Sequence, residues 1–480
     1  MLKDHLVRYS LARGIPSLLN FVGLLFYTRL LLPSQFGQYA IVLANAEIAY
    51  TVVFQWLQLS ALRFIPGEPE TTQKAVQDTV VNLYFWFSFL GFILIGVYAI
   101  IPGVEVSPLL LWGGFGIMLS MGGVRLLLDI YRARLQPGLF GRLSLVRSVL
   151  VLGLSLIFIK VGLGGEALVL GQAMGAATAA FFVGRFIWTS SFQPKINWRH
   201  TRIFASYGLP LAASFAVDAI LHNFDRLMIA GIMGQAEAGL YSAGYNVVQQ
   251  VLLTVLIIIN LAGYPLAVKY YQEGDQELFR DHLKQFFSII LAISTVAMLN
   301  LVFGADLVSQ WTLGIAFRTG AREIIPLLAI AIFFMGIRAF YFNLAFQLSQ
   351  KVIWQFVILA VTAVINIGLN WLWIPIYGIK GAATATLVSF AIALLVNGAL
   401  GSRYVRLAFP AKELAIILLG IGVFGLSAVT QNYLGFENSY LVLAVGNFMF
   451  LLTLVITNYM GIQRFGRMAV VWIQNWLKKG

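Results

Sequence analysis

Charged side chains fall inside long apolar stretches of this chain, among them the carboxylates Glu47, Asp218 and Asp225 and the guanidinium groups of Arg13, Arg29, Arg125, Arg226 and Arg338. Hydrocarbon disfavours an ionised group by about 2.5–3.5 kcal/mol on insertion scales, so such side chains face a bundle interior or a wet cavity. Asp218 and Asp225 are seven residues apart with His222 between them. On a helix these three share a face with Ser214. A carboxyl group in low dielectric holds its proton more tightly and can exchange it, or a cation, reversibly. That is the chemistry of ion coupling, and Glu47, Asp218 and Asp225 are its candidates. The simpler expectation for Asp225 is an ion pair with an arginine of a neighbouring helix. Glu47 and Asp218 stay open between the two roles. His222 is expected to be a lone hydrogen-bonded histidine.

Arginine has a planar fork that bonds two oxygens of a phosphate at once. Arg226 lies deep in its stretch, while Arg29 is near a helix end and could equally snorkel to headgroups. Both are displaced from the polar stripes of their helices and could instead brace helix against helix. Arg338 is followed by Tyr341, Asn343 and Gln347 and is expected to be paired or to face a cavity. Arg125 and Asp129, four apart, are expected to pair with each other. Arg13 is placed at the inner mouth of the first helix. Amides cluster on two further faces, Gln355, Thr362, Asn366 and Asn370 on one and Tyr245, Asn246, Gln249 and Gln250 on the other. They could bond sugar hydroxyls or act as interhelical glue, worth around 0.6 kcal/mol each.

The elements that must hold these residues are helices in a membrane. The chain has 480 residues, 60% hydrophobic and 11% charged. A soluble domain carries about 25% charged residues. Runs of roughly 20 apolar residues define helical spans rather than barrel strands. They fall at 11–32, 36–62, 80–101, 109–131, 143–160, 167–188, 203–232, 239–266, 285–304, 324–346, 353–374, 381–400, 411–430 and 439–459, about fourteen helices in all. The first is expected to be a span rather than a cleaved signal, because Arg13, Pro16, Asn20 and Arg29 interrupt it. With no Cys and four scattered His, neither a disulfide, a metal centre nor a cofactor is expected. A net charge of +13 would suggest nucleic acid in a soluble protein. Here it reads as lysine and arginine retained on the cytoplasmic face. With the N-terminus inside, 23 Lys and Arg, Arg147 among them, fall on the inner side and four on the outer. Both termini are therefore expected to be cytoplasmic. The segments 66–78 and 269–284 are expected to form short amphipathic helices at the inner interface, and 304–323 a longer outer loop.

The chain also repeats itself. Gly14-Ile-Pro16, Arg29 and Phe36-Gly37-Gln-Tyr39 answer to Gly208-Leu-Pro210, Arg226 and Ala238-Gly239-Leu-Tyr241. Gly162-Leu-Gly-Gly165 answers to Gly378-Ile-Lys-Gly381. The repeat predicts an N-terminal lobe at 1–188, a linker at 189–202 and a C-terminal lobe at 203–400. Each lobe has six helices, and two further helices and a tail follow at 401–480. Two parallel repeats flanking a cavity are a transporter plan. Pro16 and Pro210 are expected either to bend their helices or to sit harmlessly in the first turn.

The sequence resembles the polysaccharide transporters (Wzx-type flippases) of the multidrug/oligosaccharidyl-lipid/polysaccharide exporter superfamily. The resemblance rests on Thr28-Arg29-Leu-Leu-Leu-Pro33 with Phe36-Gly37-Gln-Tyr39, on Asp225-Arg226-Leu-Met-Ile with Gly239-Leu-Tyr241, and on Asn366-Ile-Gly-Leu-Asn370 with Pro375-Ile-Tyr-Gly378. It implies translocation, without catalysis, of undecaprenyl-pyrophosphate-linked oligosaccharide across a bacterial inner membrane, as in O-antigen synthesis. It further implies an alternating-access cycle driven by an H+ or Na+ gradient or by the membrane potential. Membrane lipids, a polysaccharide polymerase and a chain-length regulator are the implied partners. On that basis Arg226, Arg29, Arg338, Asn366, Asn370 and Gln249 are expected to line the pyrophosphate and glycan cavity. A lipid II flippase and a cation-coupled multidrug exporter are alternatives within the superfamily. A membrane glycosyltransferase or polymerase would need a catalytic acid in a sizeable outer loop, where only Asp306, Glu323 and Glu437 stand, with no paired acid motif.

Overall fold

Apolar stretches become helices here because every backbone donor and acceptor must be satisfied within its own segment in hydrocarbon. The computed structural model describes residues 2–100, 108–193, 197–434 and 439–461. Among them are sixteen α-helices and no strand. In chain order they are α1 (Leu2–Leu30), α2 (Pro33–Val53), α3 (Gln55–Phe64), α4 (Glu70–Ile100), α5 (Gly114–Ala133), α6 (Pro137–Lys160), α7 (Gly165–Ser191) and α8 (Trp198–Met233). Then follow α9 (Gln235–Glu273), α10 (Gln276–Phe303), α11 (Ala305–Thr312), α12 (Ile315–Ile337), α13 (Asn343–Leu348), α14 (Ile353–Gly401), α15 (Ala411–Tyr433) and α16 (Ser439–Ile456). Wide π turns precede α5 at Leu109–Gly113 and α13 at Arg338–Phe342.

Among the described residues eleven helices are long and apolar enough to cross a membrane, or twelve with the bent α2–α3 pair taken as one span. Fourteen were expected. Part of the difference lies in α14, a single element of 49 residues whose Gly378 (φ 61°, ψ −143°) is not helical. The expected spans 353–374 and 381–400 meet at that glycine. The second expected span bends by 48° where α2 gives way to α3. There the Trp56 indole N–H takes the Val53 carbonyl at 2.9 Å, and the Leu57 amide closes a tight turn on Phe54 O at 3.1 Å.

Several expectations for the connections are corrected. The segment 66–78 holds no separate interfacial helix; α4 starts at Glu70 and runs on to Ile100. Likewise α9 continues to Glu273 and α10 starts at Gln276, so 269–284 is the end of one long helix and the start of the next, joined by a tight turn at Gly274 and Asp275. Asp275 caps α10 by accepting the Leu278 amide at 2.9 Å. The outer loop expected at 304–323 contains α11 and the start of α12. These helices run past the hydrocarbon-length apolar runs because polar first turns, once capped, are as helical as the spans that follow. For the same reason Pro16 and Pro210 lie inside α1 and α8, not in a first turn. Each therefore removes an interior helical hydrogen bond.

The chain forms two compact units. The first comprises Met1–Ala243, Thr312–Gly320 and Leu359–Ala382; the second comprises Gly244–Trp311, Ala321–Ile358 and Ala383–Gly480. In the first, buried Tyr50, Phe54, Leu127, Ile130 and Phe204 belong to one core. Helices α6 and α7 meet through small residues: a methyl added at Gly171 would fall 2.1 Å from Ser155 Oγ, and one at Gly175 2.7 Å from the Val151 backbone. The closest approach is between the first turns of α2 and α9. A Cβ at Gly37 would fall 1.8 Å from Gln235 O, and one at Gly239 2.0 Å from Pro33 O. In the second unit, α10 and α16 exchange reciprocal amide bonds between Asn300 and Asn447, at 2.9 and 2.8 Å. Large apolar side chains such as Phe89, Leu94, Phe181 and Phe186 are exposed along α4 and α7. On helices of this length such surface belongs against lipid, and the protein crosses the membrane several times.

Candidate functional site

Charged side chains in the first unit gather where α2, α5, α6 and α8 bring them together. Glu47 of α2 accepts from the Arg125 guanidinium of α5 at 3.2 Å and, through its other oxygen, from the Asn223 amide of α8 at 3.2 Å. The Arg125 guanidinium also lies over the Tyr50 ring, 4.5 Å from its centroid. Tyr50 in turn donates to Gln58 Oε1 at 2.5 Å. Arg147 of α6 acts electrostatically on both Arg125 and Glu47. Tyr39 of α2 lies in the fields of Arg147, Glu47 and Arg226. Two arginines thus act on one carboxylate, and a third acts on the tyrosine beside it. The pair is not in a dry core: the Arg125 and Glu47 side chains keep 42% and 31% of their surface accessible. They line an accessible, cation-rich recess.

A second, drier cluster adjoins it in sequence. Asp225 of α8 is buried and accepts from the Tyr241 hydroxyl of α9 at 2.9 Å and from Asn370 Nδ2 of α14 at 2.6 Å. Asn370 Nδ2 also donates to Asn366 Oδ1 at 3.1 Å. Both asparagines are fully buried, and Asn366 Nδ2 and Asn370 Oδ1 make no hydrogen bond. One carboxylate, two amide oxygens and a phenol make an oxygen-rich nest of hard ligand atoms.

The expected site residues therefore divide. Glu47 joins the recess, and Arg226, itself buried, belongs to its electrostatic surroundings. Asp225, Asn366 and Asn370 form the dry cluster. Asp218 shares neither: its side chain is 46% exposed, and His222 Nδ1 lies 3.6 Å from its carboxylate. His222 Nδ1 is also 2.9 Å from the Asp218 carbonyl oxygen. Arg29 is exposed and donates to Leu25 O of its own helix at 2.8 Å. Arg338 is buried in the π turn before α13, and Gln249 is half-buried on α9; both belong to the second unit. The Arg13 side chain lies outside the described residues. Sequence reasoning missed Asn223 and the cross-helix pairing of Arg125. It also counted Arg147 with the inner-face cations, although α6 begins ten residues before it. The available signal was the spacing of Arg147 from Pro137, a helix-starting proline.

Long apolar helices, most of them of membrane-crossing length, hold these ionisable side chains. The fold is similar to that of a lipid II flippase, MurJ, in an inward closed conformation (TM-score 0.74, 14% identity, covering 96% of this chain and 99% of that one). It is also similar to an inward-facing multidrug resistance MATE family transporter (TM-score 0.57, 13% identity, covering 83% and 94%). In sequence, the chain is 22% identical over 448 residues to the protein named "Probable low-salt glycan biosynthesis flippase Agl15" of Haloferax volcanii, covering 87% of this chain and 89% of that one. Residues 3–271 match the family described as polysaccharide biosynthesis protein, and the chain belongs to that family.

Proposed function

We propose that the protein is a flippase that carries undecaprenyl-pyrophosphate-linked oligosaccharide from the cytoplasmic to the outer leaflet of a bacterial inner membrane. The observation that supports this reading is the gathering of arginine around Glu47: Arg125 bonds it, Arg147 lies in its field, and buried Arg226 acts on the neighbouring Tyr39. Such a recess suits an anionic pyrophosphate and repels the cationic cargo common among multidrug exporters. In this scheme the three arginines hold the pyrophosphate, Arg29 and Arg338 are further phosphate contacts along the path, and Asn223 and Gln249 bond sugar. Glu47 competes with the phosphate for Arg125, so release of one favours capture of the other.

Asp225 is the better coupling carboxylate than Asp218, because it is buried with two amides and a phenol while Asp218 is open to solvent. Asn366 and Asn370 then serve the coupling ion, H+ or Na+, rather than the glycan. The two pseudo-repeats rock about the cargo, with both termini cytoplasmic, as the distribution of lysine and arginine supports. The chemistry is transport; no bond of the cargo is made or broken.

The test is a proteoliposome flipping assay with a fluorescent lipid-linked oligosaccharide. Translocation that falls in Arg226→Ala and persists in Arg226→Lys is expected. Equal activity in both variants removes the phosphate contact, and efflux of cationic drugs without lipid translocation overturns the function. Preference for lipid II over every longer glycan moves the cargo to that relative.

A further inference from the structure

We propose that the second unit carries a site for a resident anionic phospholipid, independent of whatever cargo the protein moves. Two cavities meet at residues 402–410, between α14 and α15. The first is an apolar groove of about 1060 Å³, walled by α10, α12, α14 and α15 through residues such as Phe287, Phe333, Leu395 and Leu418. Leu395, Phe409 and Leu418 are 72%, 55% and 59% exposed, so the groove opens sideways along membrane-spanning helices. The second cavity, about 980 Å³, is polar and is lined by Glu277, Arg280, Asp281 and Lys284 of α10.

Arg406 lines both cavities, and Arg403 lines the groove alone. Across the junction four cations face two carboxylates. Asp281 lies 3.6 Å from Lys284 Nζ, which leaves the arginines as the surplus charge. The junction is fixed in place. The Tyr341 hydroxyl donates to the Ala408 carbonyl, the Phe287 ring stacks on Tyr341 at 4.1 Å, and the Val405 amide bonds Gly401 O at 3.1 Å. A long apolar groove that ends in surplus positive charge complements a phosphodiester with acyl chains. All the residues lining both cavities belong to the second unit, whereas the recess arginines belong to the first. A carried headgroup must leave its contacts in every cycle. A phosphate held at this fixed junction has no such requirement, which favours a lipid drawn from the bilayer over the cargo's tail.

The full-length protein in detergent is titrated with phosphatidylglycerol, phosphatidylcholine, inorganic phosphate and undecaprenyl pyrophosphate. Binding is read by native mass spectrometry and by the shift in thermal unfolding. Phosphatidylglycerol should bind about tenfold more tightly than phosphatidylcholine, and the double variant Arg403→Ala/Arg406→Ala should lose that preference, since each cation near an anionic lipid contributes about 1 kcal/mol. Both arginines are exposed, so their removal leaves the fold intact. The double lysine variant should keep most of the preference. Gly398→Trp, which fills the groove, should weaken binding of both phospholipids. Equal binding of the two phospholipids overturns the site. So does inorganic phosphate that competes as well as the lipid, which would mark a soluble-anion site. Undecaprenyl pyrophosphate that binds more tightly than phosphatidylglycerol, and loses this in the double alanine variant, would give the groove to the cargo.

Discussion

At the scale of single residues, neighbours in sequence divide between two environments. Asp225 and Arg226 are adjacent and both buried, yet Asp225 bonds Tyr241 and Asn370 while Arg226 contributes to the field around Tyr39. The hundred-degree step between helix neighbours separates them, and that much was legible in the sequence. The partners were not, because each comes from another helix. Asp225→Ala strips the acceptor from two buried donors and should cost about 1–3 kcal/mol for each, read as a fall in the thermal unfolding midpoint. Asp225→Asn keeps the shape and removes the charge. It should leave the protein folded and abolish the response of flipping to an imposed ion gradient; an unchanged response would remove Asp225 from coupling. In the recess, Arg125→Ala leaves Glu47 as a carboxylate that repels phosphate. Flipping should fall by about tenfold or more, the loss of one charge-assisted bond of roughly 1.5–3 kcal/mol. Restoration by a second change, Glu47→Gln, would show that the repulsion matters as well as the lost contact.

At the scale of elements, apolar run length located the helices but not their ends. Hydrophobicity reports where lipid begins; it is silent about a helix that continues into water, as α4, α8 and α9 do. Breaks within apolar stretches were hidden too. Neither a proline nor a glycine stands near Phe54, so no helix-breaking residue marks the bend between α2 and α3. Glycine contacts act at this scale as well. At Gly239 an added methyl would fall 2.0 Å from a backbone carbonyl, whereas at Gly153 of α6 it would meet nothing within 4 Å. Gly239→Ala should therefore lower the unfolding midpoint by pushing α2 and α9 apart. Gly153→Ala should hold or raise it, since alanine is better than glycine in a helix by about 1 kcal/mol. The same response from both variants would mean that the α2–α9 approach is not tight.

At the scale of the whole molecule, the sidedness of charge is an expectation that needs no knowledge of packing. It can be checked without background, as the chain has no cysteine. A cysteine at Val161, which is 71% exposed between α6 and α7, should be labelled from outside intact cells. One at Leu135, 72% exposed between α5 and α6, should be labelled only after permeabilisation. The reverse pattern would invert the topology and with it the direction of transport. The approach of α2 to α9 has a further meaning at this scale. It is reciprocal: Gly37 meets the first turn of α9 through Gln235, and Gly239 meets the first turn of α2 through Pro33, four residues before each glycine. Self-complementary contact of this kind is how identical subunits pair about a two-fold axis. Unlike identical subunits, however, two such segments of one chain are free to differ around the contact. Tyr39 now faces arginines and Tyr241 a carboxylate, a division of labour that no symmetric dimer could have held.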